Sequence, residues 1–88
     1  MPQLKLYGIF RKYATVPKLD LEGGTVRAVL TLLCKDNPAL CEALFDEGGL
    51  RSHVRVVVNG RDMELLLGLD TPLQAGDQIA IFPPIAGG

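Results

Sequence analysis

The 88-residue sequence lacks the features that mark nucleic-acid-binding and membrane-spanning proteins. Nine basic and ten acidic side chains give a net charge of -1, without the basic excess of a nucleic-acid-binding surface. No apolar run is long enough to cross a bilayer, and the N-terminal residues do not form the charged start and apolar region of a signal peptide. We therefore expect a cytoplasmic protein that binds neither nucleic acid nor membranes.

Residues that bind metals or act as nucleophiles are also few, with two cysteines and one histidine. The spacing of Cys34 and Cys41 matches no zinc or thioredoxin motif, so no metal site is expected. Because cytosolic disulfides are uncommon, both cysteines are predicted to be free thiols. His53 has no nucleophile or carboxylate cluster near it in sequence, and we expect it in a loop or at a strand edge.

The composition is that of one globular domain, with 48% hydrophobic residues. Alternating apolar residues predict strands over 3–10 and 15–21, joined as a hairpin by residues 11–14, and later strands over 54–59 and 79–82. On the first strand the alternation places three residues toward the core: Leu4, Leu6 and Gly8.

An amphipathic helix is predicted after the hairpin. Thr25 is suited to cap its first turn, and apolar residues follow at helical spacing: Val26, Val29, Leu30 and Leu33. The helix should end near residues 36–37, and Pro38 then suits the first turn of a shorter helix that runs to Phe45. The segments left over are predicted as a loop at 46–49, a tight turn at 59–60 and an apolar stretch of no clear period at 63–69.

This order of elements predicts an α+β fold in which a mixed sheet curls around one main helix. The first and last strands are expected to be parallel neighbours at the centre of the sheet, since a helix lies between them in sequence. Ubiquitin has this β-grasp arrangement. Two cysteines cannot hold an iron–sulfur cluster, which excludes the ferredoxin branch of β-grasp proteins.

The C-terminal segment 75–88 resembles the ending of the MoaD/ThiS family of sulfur carriers. In that family, Gly-Asp precedes an apolar strand, which is followed by two prolines or Pro-Ala, an apolar residue, a small residue and Gly-Gly. The sequence matches this pattern at eight positions: Gly76, Asp77, Phe82, Pro83, Pro84, Ile85, Gly87 and Gly88. Residues 56–60 also resemble the family's internal strand and turn.

The resemblance implies a carrier and not an enzyme. In the family, a ubiquitin-activating-type enzyme uses ATP to adenylate the terminal carboxylate, and a sulfur donor displaces AMP to leave a thiocarboxylate. By this resemblance Gly88 supplies the reacting carboxylate, and Gly87 gives it access to a narrow slot. The carrier binds no cofactor, because ATP is used by the activating partner. The sulfur then passes to an acceptor enzyme or a large synthase subunit, in molybdopterin, cysteine or secondary-metabolite synthesis.

The chain is predicted to comprise a β-grasp domain, residues 1–82, and an extended tail, residues 83–88. Prolines fix φ and offer no amide donor, so Pro83 and Pro84 should end the last strand and project a tail of about 20 Å. Phe82 and Ile85 flank the prolines. Phe82, Pro83, Pro84 and Ile85 are predicted to bind partners. The other interpretation is that Phe82 and Ile85 simply cap the core.

Other functions stay open at this point. The chain could be a protein modifier joined through Gly88 to a lysine of another protein, or a docking or regulatory subunit without chemistry of its own. Three arginines lie around the third predicted strand, namely Arg51, Arg55 and Arg61. They are interpreted as solvated charges in preference to a rim that orients the carrier on an acidic partner. Asp77 is expected to form local hydrogen bonds with the backbone.

Overall fold

The computed structural model describes residues 1–14 and 16–83. Its strands are β1 (Gln3–Leu6), β2 (Leu19–Asp20), β3 (Phe45–Asp46), β4 (Gly49–Leu50), β5 (Arg55–Val58), β6 (Arg61–Asp62) and β7 (Gln78–Phe82). Its α-helices are α1 (Val26–Asp36) and α2 (Pro38–Leu44). Short 3-10 helices span Gly8–Tyr13, Met63–Leu65 and Gly68–Asp70.

The main sheet has the strand order β2-β1-β7-β5-β6. β1 and β7 run parallel at its centre, with Leu4 opposite Ile79, and the other neighbours are antiparallel. A separate hairpin joins β3 to β4. This topology confirms the predicted β-grasp fold and the central pairing of the first and last strands.

The two helices form where local sequence signals place them. The Thr25 hydroxyl accepts a hydrogen bond from the Ala28 N–H at 3.1 Å, which caps α1. Asn37 ends α1 and caps α2, because its side-chain oxygen accepts from the Leu40 N–H at 3.2 Å. α2 ends at Leu44, one residue before the predicted end. The predicted loop at 46–49 is shorter in the structure: Asp46 and Gly49 pair in the β3–β4 hairpin, and residues 47–48 form its turn.

One face of the sheet packs on the helices to form a single core. Alternate residues of the three central strands are buried there: Leu4, Leu6, Val56, Val58, Ile79 and Ile81. α1 contributes the four apolar residues of its predicted stripe: Val26, Val29, Leu30 and Leu33. The opposite face of the sheet is left uncovered by any helix of the described chain, and we call it the outer face.

The first hairpin differs from its prediction. β1 ends at Leu6 because Gly8 adopts a φ of 60°, which no strand residue has, and begins the 3-10 helix Gly8–Tyr13. That helix buries Phe10, which is 2% exposed, whereas Gly8 is exposed and not on the core side. β2 keeps only two residues of the predicted strand, and Thr15 lies outside the described residues.

Two later segments complete the fold. The turn at 59–60 is confirmed, with positive φ of 49° at Asn59 and 85° at Gly60. The stretch at 63–69, which showed no clear period, contains 3-10 helices. Within residues 1–14 and 16–83, no helix combines the length and apolar character needed to cross a membrane.

The prediction of free thiols is wrong. Cys34 on α1 and Cys41 on α2 form a disulfide, with their Cα atoms 4.6 Å apart. Asn37 and Pro38 turn α2 back against α1, which brings together two residues seven apart in sequence. The sequence spacing does not predict this disulfide, because the contact depends on the angle between two helices.

Candidate functional site

The candidate site lies where the tail joins the domain. β7 ends at Phe82, and Pro83 is the last residue that the structure describes. The predictions for Pro84, Ile85, Gly87 and Gly88 fall outside the described residues and stay predictions. The structure therefore defines the base of the tail, formed by Tyr7, Gly8, Phe82 and Pro83, which we call the tail base.

Two close contacts build the tail base. The Tyr7 ring stacks on the Phe82 ring with centroids 4.5 Å apart and planes 15° from parallel. The Tyr7 N–H also donates to the Ile81 carbonyl at 3.0 Å, which fixes the end of β1 beside the end of β7. Because both rings lie on the outer face, Phe82 does not cap the core.

Gly8 supports the start of the tail and was not recognised from the sequence as a site residue. A Cβ atom at this position would lie 2.5 Å from Cγ and 3.0 Å from Cδ of Pro83. Its φ of 60° also disfavours any residue with a side chain. Pro83 therefore packs directly against the Gly8 backbone, where a side chain would be strained and would also collide with the proline ring.

The outer face beside the tail base is concave and partly apolar. A depression of about 290 Å³ lies over the central strands, and its lining includes the apolar residues Val57, Ala80 and Phe82 and the cations Lys5 and Lys18. Apolar surface bordered by charge is typical of protein-docking sites. The position of Phe82 here is compatible with its predicted role in partner binding, which remains a prediction.

The three arginines near β5 do not converge on this depression. Arg55 pairs with Asp62 at 3.0 Å, and the Arg51 side chain donates to the Glu42 carbonyl at 3.0 Å. Arg61 is exposed on the edge strand β6. These positions support the interpretation as surface charges. His53 is exposed in the turn before β5, as expected, with a φ of 75°.

A hydrogen-bonded clamp holds the start of β7 against the β5–β6 turn. Asp77 accepts from the Gln74 N–H at 2.7 Å and from the Asn59 side-chain amide at 3.0 Å. Asn59 in turn accepts from the Gln78 N–H at 2.9 Å. The backbone donor at Gln74, and then the Asn59 amide, lower the pKa of Asp77, although burial opposes them slightly. The predicted local role of Asp77 is confirmed.

No constellation for catalysis or metal binding accompanies these features in the part of the chain that the structure describes. There, no group of three or more His, Cys, Asp or Glu side chains lies close enough to hold a metal ion. What the described site offers is a fixed starting point for the tail and an apolar depression beside it.

Comparison with known proteins identifies the family. A family model described as the ThiS family matches residues 4–88, which is nearly the whole sequence. The chain belongs to the ThiS family. The resemblance to the MoaD/ThiS carriers is thereby confirmed, and the matched region includes Gly87 and Gly88.

Individual ThiS-family relatives include carriers and modifiers. Small archaeal modifier protein 3 of Haloferax volcanii is 39% identical over 67 residues, which cover 76% of this chain and 73% of that protein. The sulfur carrier protein CysO of Mycobacterium tuberculosis is 35% identical over 73 residues, covering 80% and 78%. The solution structure of small archaeal modifier protein 1 from Methanosarcina acetivorans is 34% identical, with a TM-score of 0.91 over 99% of this chain and 95% of that one.

These ThiS-family relatives are small carriers or modifiers and not catalysts in themselves. The chain is therefore a ubiquitin-like sulfur-carrier family member that is not an enzyme by itself. The solved relatives also confirm the β-grasp fold independently of the sequence pattern.

Proposed function

We propose that this protein carries sulfur as a thiocarboxylate on Gly88. The observation that carries the proposal is the family match, which runs through Gly87 and Gly88 and continues from the fixed tail base. A terminal carboxylate has a pKa near ~3.5 and is ionised at neutral pH, so it is a poor electrophile. Its activation requires a better leaving group than oxide.

An adenylating partner supplies that leaving group. The carboxylate oxygen attacks the α-phosphorus of ATP, which forms an acyl adenylate and releases pyrophosphate. A sulfur nucleophile then attacks the acyl carbon, and AMP leaves with the oxygen that joined it to the carbonyl. The product is the thiocarboxylate, whose sulfur is the better nucleophile toward an acceptor. The carrier contributes no catalytic side chain and binds no cofactor.

The structural contribution of the carrier is to present the end of the chain. Stacking of Tyr7 on Phe82 and packing of Gly8 against Pro83 hold the first tail residue in one position. Proline at 83 has no N–H and cannot extend the β7 ladder. We infer that Gly87, without a side chain, lets Gly88 pass through a narrow active-site entrance.

Partner binding follows from the same geometry. We assign docking of the adenylating enzyme and of the sulfur acceptor to Phe82, Pro83, Pro84 and Ile85, together with the apolar depression on the outer face. Two classes of acceptor are favoured. The Phe-Pro-Pro ending favours a large subunit of the molybdopterin-synthase type, and the resemblance to carriers for cysteine synthesis favours an acceptor of that kind. We also propose a cytoplasmic location, because the adenylating partner requires ATP.

A protein modifier is the second candidate, favoured by the relatives that are named modifiers. Both functions share the acyl adenylate and differ in the nucleophile, which is sulfur in one and a lysine amine in the other. The two are separated by incubating the chain with an adenylating enzyme, ATP and sulfide, alone and with cell extract. Sulfur incorporation supports the carrier, whereas a ladder of conjugates without sulfur incorporation supports the modifier.

A further inference from the structure

Charge is divided unevenly along this chain. Residues 1–19 contain four basic side chains and no acidic one, whereas residues 20–88 contain five basic and ten acidic side chains. The N-terminal cations are Lys5, Arg11, Lys12 and Lys18. A net charge of -1 therefore conceals a positive region, and such asymmetry indicates an interaction with an anionic partner.

The fold gathers part of this charge around one cavity, which we call the basic groove. It has a volume of about 540 Å³ and lies between the end of β1, the 3-10 helix Gly8–Tyr13 and the segment before β2. Its lining includes two cations and several apolar residues: Lys5, Leu6, Tyr7, Arg11, Val16 and Pro17. Val16 is 49% exposed, so an incoming side chain can contact it.

The cations of this region are not neutralised by the rest of the described chain. The ion pairs among the described residues are Arg27–Asp70 and Arg55–Asp62, and neither involves residues 1–19. Lys12 instead lies over the Tyr13 ring, with its Nζ 5.3 Å from the centroid. An incoming carboxylate could therefore pair with these cations without displacing an acidic side chain of the described chain.

The edge of β1 beside the groove offers a backbone N–H group to a ligand. The Gln3 N–H donates to the Asp77 carbonyl and the Tyr7 N–H to the Ile81 carbonyl, both on the β7 side of β1. Because N–H groups alternate in direction along a strand, the Leu6 N–H points to the opposite side, toward the groove. The β1–β2 pairing ends at Leu4 and Leu19, and no backbone hydrogen bond joins Leu6 to residues 16–18. An interrupted strand edge of this kind suits an extended peptide better than a compact ligand.

We propose that the basic groove binds an extended acidic segment of the adenylating enzyme, with one apolar side chain of that segment against Val16 and Tyr7. This proposal rests on the proposed function. Tyr7 belongs both to the groove and to the tail base, so the bound segment lies beside the point where the tail starts. The overall negative charge and the apolar walls favour an acidic peptide over a nucleic acid.

The chemical preference of the groove is tested with a probe that needs no enzyme. We expect a blocked six-residue peptide of alternating glutamate and leucine to shift the amide NMR signals of residues 5–11 and of Val16 and Lys18 in the intact chain. The same peptide with lysine in place of glutamate should not. Shifts elsewhere, equal shifts with both peptides, or displacement of the acidic peptide by a short RNA with tighter binding would each overturn the proposal.

The identity of the partner is tested with two single variants of equal charge change. Arg11→Glu reverses a groove cation that does not line the outer-face depression, whereas Arg61→Glu reverses an exposed cation outside both. We expect the groove variant to raise the carrier concentration for half-maximal ATP–pyrophosphate exchange about tenfold, with the maximal rate kept and less dependence on salt. The control should change it less than twofold. Equal effects of both variants would overturn the proposal.

The two proposals fail in different ways. If the wild-type chain binds the adenylating enzyme in a titration but supports no pyrophosphate exchange, the proposed function fails, and the binding of the two variants still tests the groove. If exchange is normal and both variants behave as wild type, the proposed function stands and the groove proposal is wrong.

Discussion

Gly8 provides the sharpest test of how the domain presents its tail, and the change to make is Gly8→Ala. The added methyl has two separable effects. A non-glycine residue in the left-handed region costs roughly 1–2 kcal/mol. The Cβ atom would also lie 2.5 Å from Pro83 Cγ, whereas carbon atoms in ordinary contact are about 3.5–4.0 Å apart. Pro83, or the backbone beneath it, must therefore move by about 1 Å.

The chain contains a matched control for the first effect. Gly68 has the same φ of 60°, and a Cβ added there would meet no atom within 4 Å. Gly68→Ala should therefore lose about 1–2 kcal/mol of unfolding free energy through its backbone alone. Gly8→Ala should lose at least as much, and only this variant should displace Pro83. Urea unfolding of wild type and of both variants measures these losses of unfolding free energy.

The functional readout is the rate of thiocarboxylate formation at saturating adenylating enzyme. Because a displacement of about 1 Å at a reacting group can slow catalysis by up to a hundredfold, we expect Gly8→Ala to be about tenfold slower or more, and Gly68→Ala to match wild type. If both variants form thiocarboxylate at the wild-type rate while folded, the contact of Gly8 with Pro83 does not position the tail.

Four further predictions follow from the site and the fold. Gly87→Val should abolish thiocarboxylate formation, while circular dichroism matches wild type; normal turnover would show that the diglycine is not a steric requirement. Ile85→Ala should weaken binding to both partners about tenfold, equivalent to ~1.4 kcal/mol, with little change in Tm in calorimetry, and unchanged affinity would place docking elsewhere. Because the pKa of Asp77 is lowered in the folded state, its stabilisation is present above the unfolded pKa and is lost as pH falls through the folded one. The stability difference between wild type and Asp77→Asn should thus shrink on acidification, and a constant difference from pH 7 to pH 3 would contradict the clamp. Replacing Cys34 and Cys41 by serine should lower the unfolding free energy by about 2.5 kcal/mol, from the closed-loop length, without loss of tail chemistry; equal stability in urea unfolding would argue against a disulfide in solution.

Features set by nearby residues could be predicted from the sequence. The Thr25 cap and the apolar spacing that follows it are local, so α1 was predicted to within a residue. The central parallel pair followed from the order of elements, because a helix separates β1 from β7. The turn at Asn59 and Gly60 carries its own dipeptide signal.

Features that depend on contacts between distant residues could not be predicted from the sequence. Gly8 fits the alternation of a strand, and its contact with Pro83 joins two residues that are far apart in sequence. The disulfide depends on the direction of α2 after Pro38. The basic groove appears only when the 3-10 helix folds Arg11 back beside Lys5. The alternation over residues 3–10 does not reveal this change of direction.

The central claim is that sulfur is carried at the end of the tail, and the most direct measurement is fragment mass spectrometry after reaction with adenylating enzyme, ATP and sulfide. Exchange of one carboxylate oxygen for sulfur adds about 16 Da, whereas a persulfide on a cysteine adds about 32 Da. We expect a gain of about 16 Da in the fragment that contains Gly88, and none when ATP is omitted. A product lacking this gain, or a gain confined to the fragment with Cys34 and Cys41, would contradict it.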